Sequence, residues 1–227
     1  MRFNKCLIGL CAGMLATSAA NAAIVTQFGS NVKFTYDDST LFGTGTVVGN
    51  AIFFTPDNFE AESLNGAGPV VVSDSIDILI ESTSAEFSLA QFGLGESGDY
   101  ISAGTGASVS SEADFTITST SALCGGSLCS ATDNYNAGTL GSTGGGLAFW
   151  NLGGLIDIRD TTGWDSDAAV TVTLMNSLMA DSTSSGETAF IQKKNGAIGI
   201  QVIPVPAAVW LFLSGLLGVI GVGRRNS

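Results

Sequence analysis

Apolar and polar side chains alternate at every second position along several segments of the chain. The alternating apolar residues are Val32, Phe34 and Tyr36; Ile76, Ile78 and Ile80; Phe115 and Ile117; and Val170, Val172 and Leu174. A period of two is typical of a strand that buries one face. Each of these segments is therefore predicted to be a half-buried β-strand.

Turn-forming residues separate the predicted strands at intervals of about 8 to 12 residues, which is the spacing of an antiparallel sandwich or barrel. They are Asp37-Asp38, Gly49-Asn50, Asn65-Gly66, Gly95 to Gly98, Gly104 to Gly106, and Gly163. Gly49-Asn50 stands between two short apolar runs and tolerates positive φ, so it predicts a two-residue hairpin turn.

One long segment lacks the alternating pattern. Residues Ser121 to Gly146 are rich in Gly, Ser, Asn and Thr and hold few large apolar side chains. This composition predicts a long surface excursion, and Phe149-Trp150 is predicted to return the chain to the core.

The chain is predicted to contain one all-β domain between two terminal segments. No repeat at a fixed period and no proline-rich or charged linker divides residues 23–203. About 180 residues are enough to bury a core of their own. We expect an antiparallel, jelly-roll-like β-sandwich over residues 23–203, with separate roles for residues 1–22 and 204–227.

Residues 1–22 have the three parts of a secretory signal peptide. Arg2 and Lys5 form a basic start, an apolar stretch runs from Cys6, and Ala20-Asn21-Ala22 forms an A-x-A site. Cleavage is expected between Ala22 and Ala23, so the protein is predicted to be exported. A first buried helix or strand is the alternative interpretation.

Residues 23–203 are strongly acidic. They hold four of the eight basic residues and all twenty acidic ones, which gives a net charge of −16. Affinity for phosphate backbones comes from Lys and Arg, so nucleic acid is excluded as a partner.

Two cysteines remain after signal removal, Cys124 and Cys129, in the sequence CGGSLC. In an oxidising compartment they are predicted to close a small disulfide loop. A redox pair, which would prefer C-x-x-C, and half of a zinc site are the alternatives.

The chain contains no histidine, which removes Ser-His-Asp and Cys-His nucleophiles and every His-based metal site. It also contains no phosphate-binding loop, G-x-S-x-G or H-E-x-x-H motif. A glycosidase needs only two carboxylates, so glycan hydrolysis stays open. We predict that the protein is not an enzyme and uses no cofactor, with calcium as the possible exception.

Calcium is considered because extracellular β domains often bind it through clustered aspartates at loop ends. The candidate ligands form three pairs, which are Asp37 with Asp38, Asp157 with Asp160, and Asp165 with Asp167. None has the spacing of an EF-hand or of a calcium-binding repeat. Ordinary exposed acids are the alternative explanation for all three pairs.

The C-terminal segment combines a proline motif, an apolar run and a basic end. Val205 to Gly223 is apolar or small throughout and precedes Arg224-Arg225. About twenty apolar residues span a bilayer, and basic residues stay on the cytoplasmic side. One C-terminal transmembrane helix is therefore predicted, with the acidic domain outside and the arginine pair as a membrane stop.

The tail resembles the PEP-CTERM sorting signals of Gram-negative bacteria in their VPxPA variant. The motif residues are Pro204, Val205, Pro206 and Ala207, followed by the apolar run and the arginine pair. The segments Leu41–Ser63 and Leu178–Val202 also look like surface proteins with such tails. The resemblance implies transient anchoring in the inner membrane, processing near the motif by an exosortase-type enzyme, and delivery to the cell surface or the extracellular matrix, with exopolysaccharide as a possible partner.

Two hypotheses about function follow from these residues. The first is a non-catalytic surface or biofilm-matrix protein delivered by its sorting tail. The second is a secreted glycan-active or glycan-binding protein that uses paired carboxylates or calcium. Two convergent acids in an aromatic-lined cleft would favour the second, and acids scattered over loop tips would favour the first.

Overall fold

The computed structural model describes residues 23–203, without the side chains of residues 195–197. The predicted signal peptide and sorting tail lie outside the described residues. The described chain forms twelve strands, which are β1 Ile24–Phe28, β2 Val32–Asp37, β3 Thr46–Val48, β4 Ala51–Phe54, β5 Glu60–Leu64, β6 Val70–Ser82, β7 Gln91–Ala103, β8 Ser108–Cys124, β9 Ser127–Leu140, β10 Ala148–Asp157, β11 Ala169–Asp181 and β12 Thr188–Ile203. One short 3-10 helix covers Ile158–Asp160. Within this part of the chain, no helix is long and apolar enough to cross a membrane.

The strands form two antiparallel sheets, which confirms the predicted all-β sandwich. Sheet 1 has the order β1-β2-β6-β11-β8-β9, and sheet 2 has the order β10-β7-β12-β4-β3. The short strand β5 pairs with the first part of β12, and β4 pairs with its last part. Strand β12 therefore lies inside sheet 2, between β7 on one side and β4 and β5 on the other.

From β5 onward the chain passes repeatedly between the two sheets. Strands β5, β7, β10 and β12 belong to sheet 2, and strands β6, β8, β9 and β11 belong to sheet 1. The last two strands, β11 and β12, are consecutive in sequence but lie in opposite sheets. Each also has a neighbour on both sides, so both are inner strands of the sandwich.

The core lies between the sheets and is built from the alternating positions. Phe34, Ile78, Phe115 and Val172 are fully buried, as their strand periodicity predicted. An aromatic group lies at one end of this core, where the rings of Tyr36 and Phe54 meet edge to face with centroids 5.3 Å apart. Edge-to-face contact is the preferred geometry of aromatic pairs, and each pair adds about 1 kcal/mol beyond area burial.

Most predicted turns are present, but one is wrong. Gly49 connects β3 and β4 with a φ of 63°, which confirms the hairpin. Gly95 to Gly98, predicted as a turn, lies inside β7 instead. A Cβ at Gly98 would lie 2.0 Å from the backbone oxygen of Gln192. The glycine therefore serves the close packing of two paired strands rather than a change of direction.

The predicted surface excursion over residues 121–146 is also wrong, because most of it forms the end of β8 and all of β9. These strands pair as a long hairpin at the edge of sheet 1. Cys129 is buried, and Ala131, Tyr135 and Ala137 pack partly against the core from alternating positions. Small residues on this face and polar residues on the other concealed the strand pattern.

After this hairpin, only one residue of the predicted pair Phe149-Trp150 is buried in the core. Trp150 is buried, whereas Phe149 is 79% exposed on the opposite face of β10. Successive side chains of a strand point to opposite faces, so only one member of the predicted pair faces the core.

Candidate functional site

The predicted disulfide is present. Cys124 ends β8, Cys129 lies near the start of β9, and the two are bonded with their Cα atoms 4.9 Å apart. Gly125 and Gly126 form the turn between them with φ values of 66° and 95°. The cross-link therefore closes the tip of the β8-β9 hairpin.

The first pair of calcium candidates lies at the end of β2. One carboxylate oxygen of Asp37 accepts a hydrogen bond from the backbone N–H of Ser39 at 2.9 Å. This contact is the main reason that the pKa of Asp37 lies below its ordinary value. Asp38 accepts a hydrogen bond from the hydroxyl of Thr44 at 3.1 Å. Both acids act as caps of the turn that follows β2.

In the second pair, Asp157 caps the 3-10 helix and Asp160 is the last residue of that helix. Asp157 pairs with the Arg159 guanidinium and accepts a hydrogen bond from Gln91 at 2.8 Å. The bond from Arg159 is the main cause that lowers the pKa of Asp157 to about 2. Asp160 is exposed in the same turn. The charge of Asp157 is thus already matched by a cation of the same loop.

The third pair lies in the connection that leads to β11. Asp167 accepts hydrogen bonds from the Ser119 hydroxyl and from the indole N–H of Trp164, the latter at 3.2 Å. Asp165 is exposed and lies two residues away. Asp167 therefore ties this connection to β8 and to a buried tryptophan.

The fold leaves these three pairs as separate sites. Among residues 23–203, no group of three or more Cys, Asp or Glu side chains has a geometry that could hold a metal ion. The observed partners of the candidates are amides, hydroxyls, an indole and a guanidinium of the chain itself.

A group of polar side chains lies inside the sandwich, where the sequence had suggested none. Glu96 of β7, Asn176 of β11 and Lys193 of β12 meet there and form what we call the interior cluster. The side chains of Glu96 and Lys193 are fully buried and form an ion pair. The Lys193 amine also donates a hydrogen bond to the Asn176 side-chain oxygen at 2.5 Å.

Strand geometry explains why three polar residues meet in the core. Asn176 continues the inward series of Val172 and Leu174 on β11, and all three are fully buried. Glu96 follows the inward Leu94 on β7, and Lys193 follows the inward Ile191 on β12. The period of two thus carries each polar side chain between the sheets.

An irregularity of β12 begins at Lys193. Its pairing with β7 runs in register up to Lys193 and Gly98, and resumes at Ile198 and Glu96. Extra residues in one strand locally re-aim its side chains. The amine of Lys193 consequently reaches the carboxylate of Glu96, although these two residues are not directly opposite each other.

Aromatic rings surround the amine of this cluster. The Lys193 nitrogen lies 5.1 Å from the ring centroid of Trp150 and 5.5 Å from that of Phe59. The backbone N–H of Lys193 donates to the Phe59 carbonyl at 3.0 Å, which holds the residue against that ring. Rings on two sides separate the polar groups from water.

Burial changes the ionisation of the pair. Desolvation raises the pKa of Glu96 and lowers the pKa of Lys193, although the attraction between them opposes both shifts. Charged groups are costly to remove from water, and the penalty is several kcal/mol per ion even when the ions are paired. Both shifts ease the transfer of a proton from the amine to the carboxylate.

Two polar atoms of the interior cluster and one of the adjoining Trp150 lack a hydrogen-bond partner within the described part of the chain. They are the second carboxylate oxygen of Glu96, the amide nitrogen of Asn176 and the indole nitrogen of Trp150. An unpaired buried polar group costs about 1–3 kcal/mol. The interior cluster therefore combines a buried charge pair with unpaired polar atoms, which is an expensive arrangement for a purely structural core.

Two other acids are buried and have partners of their own. Asp99 accepts a hydrogen bond from the Gln192 amide at 2.7 Å and lies 3.6 Å from the Lys194 amine. Glu187 accepts hydrogen bonds from backbone amides of two loops. Neither acid converges with the interior cluster, and the six aspartates named above are not part of it.

The sequence pattern did not lead to a prediction of the interior cluster, although the positions of its residues indicate that they are buried. Each member is a polar residue at an inward position of an alternating strand, and Asn176 interrupts a series that was itself recognised. The strand pattern shows that such residues are buried. It does not show that three of them face one another.

Comparisons with known proteins add little to this picture. Comparison with protein-family models gives no match, and comparison with curated protein sequences gives none. Among solved structures, the chain is similar to that of infectious bursal disease virus Gt strain, with a TM-score of 0.29 and 12% identity over 85% of this chain and 49% of that one.

A second similar structure, that of the virus's Gx strain, gives a TM-score of 0.27 and 14% identity, over 70% of this chain and 42% of that one. The chain thus spans about half or less of the length of these chains. Similarity at this level carries no argument about function.

Proposed function

We propose that the protein is an exported surface or extracellular-matrix protein of a Gram-negative bacterium, and that its β domain is not catalytic. In this proposal a signal peptide directs export, and the PEP-CTERM-like tail anchors the chain transiently in the inner membrane. An exosortase-type enzyme then processes the tail, and the domain reaches the cell surface or matrix, where exopolysaccharide is a possible partner.

The observation that carries this proposal is that β12 is paired up to the residue before the proline motif. Strand β12 stays paired to its last residue, where Ile203 lies opposite Gln91 of β7. The backbone N–H of Val202 donates to the Asn50 carbonyl at 2.9 Å. The proline motif begins at the next residue, Pro204. Cleavage at the motif would therefore leave every described strand of the two sheets in place.

The prolines of the motif would keep its backbone out of a helix and so accessible to a processing enzyme. Each proline fixes φ, lacks an amide donor and disfavours helix in the residue before it. The predicted membrane helix then begins near Ala207, which leaves the motif at the outer boundary of the bilayer. Trp210 would lie near this boundary, as tryptophans of membrane proteins commonly do.

The strand order supports a jelly-roll assignment for the domain. In sheet 2 the order is β5-β12-β7-β10, and in sheet 1 it is β6-β11-β8-β9. Eight strands divided between two sheets in two Greek keys define a jelly roll, a fold used by many lectin and capsid domains. We propose this fold as the exported module, and β1 to β4 extend it at the edges.

The distribution of acids supports a non-catalytic role. Three of the acids are buried, and each is held by its own partners. The pair Glu112 and Asp114, of which the first is exposed and the second half-buried, shares the amide of Asn134, at 2.8 and 2.7 Å, on the outer face of an edge hairpin. Glycosidases instead place two carboxylates on either side of a cleft that holds the sugar.

The sorting proposal is tested by mass spectrometry of the mature C-terminus in the native host. The wild-type surface protein is expected to lack Arg224 and Arg225. The double variant Pro204→Ala/Pro206→Ala is expected to insert normally but to keep its tail, because the helix can then extend through the motif. Arg224→Glu/Arg225→Glu is expected to lose orientation and retention.

Pro69→Ala is the matched control, because it removes a proline from the domain and should leave tail processing unchanged. A wild-type surface protein that still carries Arg224 and Arg225, or a motif variant that matures normally, would show that the tail is a plain membrane anchor.

A further inference from the structure

The interior cluster holds the three groups that are needed to form an amide bond between two side chains. They are an amine, a carboxamide and a carboxyl group, all buried between the sheets. We propose that Lys193 and Asn176 become joined by an intramolecular isopeptide bond, and that Glu96 transfers the protons. This modification does not depend on the sorting tail.

The amine lies directly beside the carboxamide that it would attack. The Lys193 nitrogen lies 2.5 Å from the Asn176 side-chain oxygen. A C=O bond is about 1.23 Å long, so the carbonyl carbon lies within about 3.7 Å of that nitrogen. Reacting atoms in a near-attack geometry are about 3–3.5 Å apart. The rigid sheets hold this geometry, because β11 and β12 are inner strands.

The surroundings supply a reactive form of the amine. Only a neutral amine is nucleophilic, and desolvation lowers the pKa of Lys193. The Glu96 carboxylate contacts the same nitrogen and receives its proton. Burial raises the pKa of Glu96, which favours this transfer. The rings of Trp150 and Phe59 keep water from the site.

The reaction balances without an outside reagent. Lys193 first gives one proton to Glu96, and its nitrogen then forms a bond to the carbonyl carbon of Asn176. Glu96 transfers that proton to the Asn176 nitrogen and takes another from the attacking nitrogen. The bond between the carbonyl carbon and the Asn176 nitrogen breaks, and ammonia leaves. Glu96 stays protonated and can donate a hydrogen bond to the new amide.

The product removes the costly features of the cluster. The buried lysine cation becomes an amide, which carries no charge. The Asn176 amide nitrogen, which has no hydrogen-bond partner among the described residues, leaves as ammonia. Glu96 becomes a neutral acid with an acceptor beside it. The cross-link thus gives a chemical role to a buried charge pair that lies beside an unpaired amide.

The bond would tie the two sheets together through the core. Asn176 lies on β11 of sheet 1, and Lys193 lies on β12 of sheet 2. Strand β12 is also the strand that leads directly into residue 204 and the tail. A force applied to the domain from its C-terminal side would therefore act on a strand that is covalently joined to the opposite sheet.

The test is peptide mapping of the full-length protein after reduction of the disulfide. Trypsin cuts after Lys and Arg, so an unmodified chain gives a peptide from Asp160 to Lys193. The cross-linked chain is expected to resist cleavage after Lys193 and to give a peptide from Asp160 to Lys194. Loss of ammonia makes that peptide lighter by about 17 Da than its unmodified sequence.

A second digestion identifies the bond. Cleavage after Glu187 cuts the chain between the two linked residues. The pieces that carry Asn176 and Lys193 are expected to stay joined after this cut. A succinimide at Asn176-Ser177 would also lose ammonia, but its two pieces would separate.

Variants show which groups are required. Lys193→Met and Glu96→Gln are each expected to restore the full mass, because the first lacks the nucleophile and the second lacks the proton-transfer group. Lys194→Met is the matched control, since this neighbouring lysine is half-exposed and should leave the mass loss unchanged. Circular dichroism confirms that each variant is folded.

The wild-type protein alone can overturn the proposal. A folded wild-type protein with free, trypsin-cleavable Lys193 and no loss of mass would overturn the proposal. A mass loss that persists in a folded Lys193→Met variant would overturn it as well. The proposal would be established if the wild-type protein loses ammonia and the pieces that carry Asn176 and Lys193 stay joined after cleavage at Glu187. Neither effect should occur in Glu96→Gln.

Discussion

At the scale of single residues, Glu187 shows how one side chain organises two loops. Its carboxylate accepts hydrogen bonds from the backbone N–H groups of Gly106 at 2.7 Å and of Thr183 and Ser184 at 2.8 Å. Gly106 belongs to the β7-β8 connection, and the other two belong to the β11-β12 connection. The amide of Gly106 is the largest cause that lowers the pKa of Glu187 below its ordinary value of 4.5.

Replacing Glu187 by Gln is expected to destabilise the protein in a pH-dependent way. A carboxyl group with a lowered pKa stabilises the fold above its unfolded value, and this contribution is lost as the pH falls through the folded value. The melting temperature of Glu187→Gln should therefore be lower than that of the wild type by about 3 °C at pH 7. The difference should vanish at acidic pH, as measured by circular dichroism.

Glu86→Gln is a suitable control, because Glu86 is exposed in the connection after β6. It should melt like the wild type at both pH values. A difference for Glu187→Gln that is the same at neutral and acidic pH would show that the carboxylate charge is not what stabilises the loops.

At the scale of elements, the β8-β9 hairpin is the feature that the disulfide controls. The two strands pair from Val109 opposite Leu140 up to Cys124 opposite Ser127, with irregular register near Ala122. Leu123 and Leu128 at the tip are 64% and 46% exposed. The tip thus gains little from burial, and the covalent bond holds it instead.

The double variant Cys124→Ala/Cys129→Ala is expected to lose modest stability. The closed loop is short, with a sequence separation of 5. In the chain-entropy model a loop of this size contributes about 2 kcal/mol. The melting temperature should fall by about 6 °C, and limited proteolysis should cut first near the tip.

Ser127→Ala alters the same tip without removing the cross-link and should behave like the wild type. Unchanged protease resistance in the double variant would mean that strand pairing alone holds the tip.

At the scale of the whole molecule, charge repulsion is the main long-range force. Residues 23–203 carry a net charge of −16, and most of their acids lie on the surface. A large net charge of one sign keeps a protein soluble but destabilises its compact state. The candidate calcium ligands Asp37, Asp38, Asp157 and Asp167 are held by groups of the same chain.

The melting temperature is expected to rise with NaCl and to rise no further with calcium at equal ionic strength. Salt screens the repulsion between surface carboxylates. A calcium site with a Kd of about 0.1 mM would instead stabilise the protein by about 2.7 kcal/mol in about 10 mM CaCl2. Scanning calorimetry in matched NaCl and CaCl2, before and after a chelator, separates the two effects.

A calcium-specific increase that a chelator reverses would contradict this expectation and would support the aspartate pairs as ligands. Asp165→Asn, which changes an exposed acid, and Asp157→Asn, which changes a paired one, would then show which loop binds the ion.

Local features of the fold were predictable from the sequence, because each depends on residues close together in the chain. Alternation placed Phe34, Ile78 and Val172 in the core, since strand geometry turns a period of two into two faces. The β3-β4 hairpin followed from Gly49-Asn50. The disulfide followed from two cysteines five positions apart. The turn predicted at Gly95 to Gly98 was wrong, because close packing between strands requires a small residue just as a turn does.

The sequence by itself thus determined the fold class, the inward positions of the clearest strands and the cross-link at the hairpin tip. Only the tertiary structure decided which strands pair and which sheet faces meet. Glu96 and Lys193 are 97 positions apart, and Lys193 and Asn176 are 17 apart on opposite sheets. Their meeting depends on the pairing of β7 with β12, on the irregularity that follows Lys193, and on the stacking of β11 across the core. None of these is encoded within a few neighbouring residues, because strand partners are chosen by the burial of the whole core.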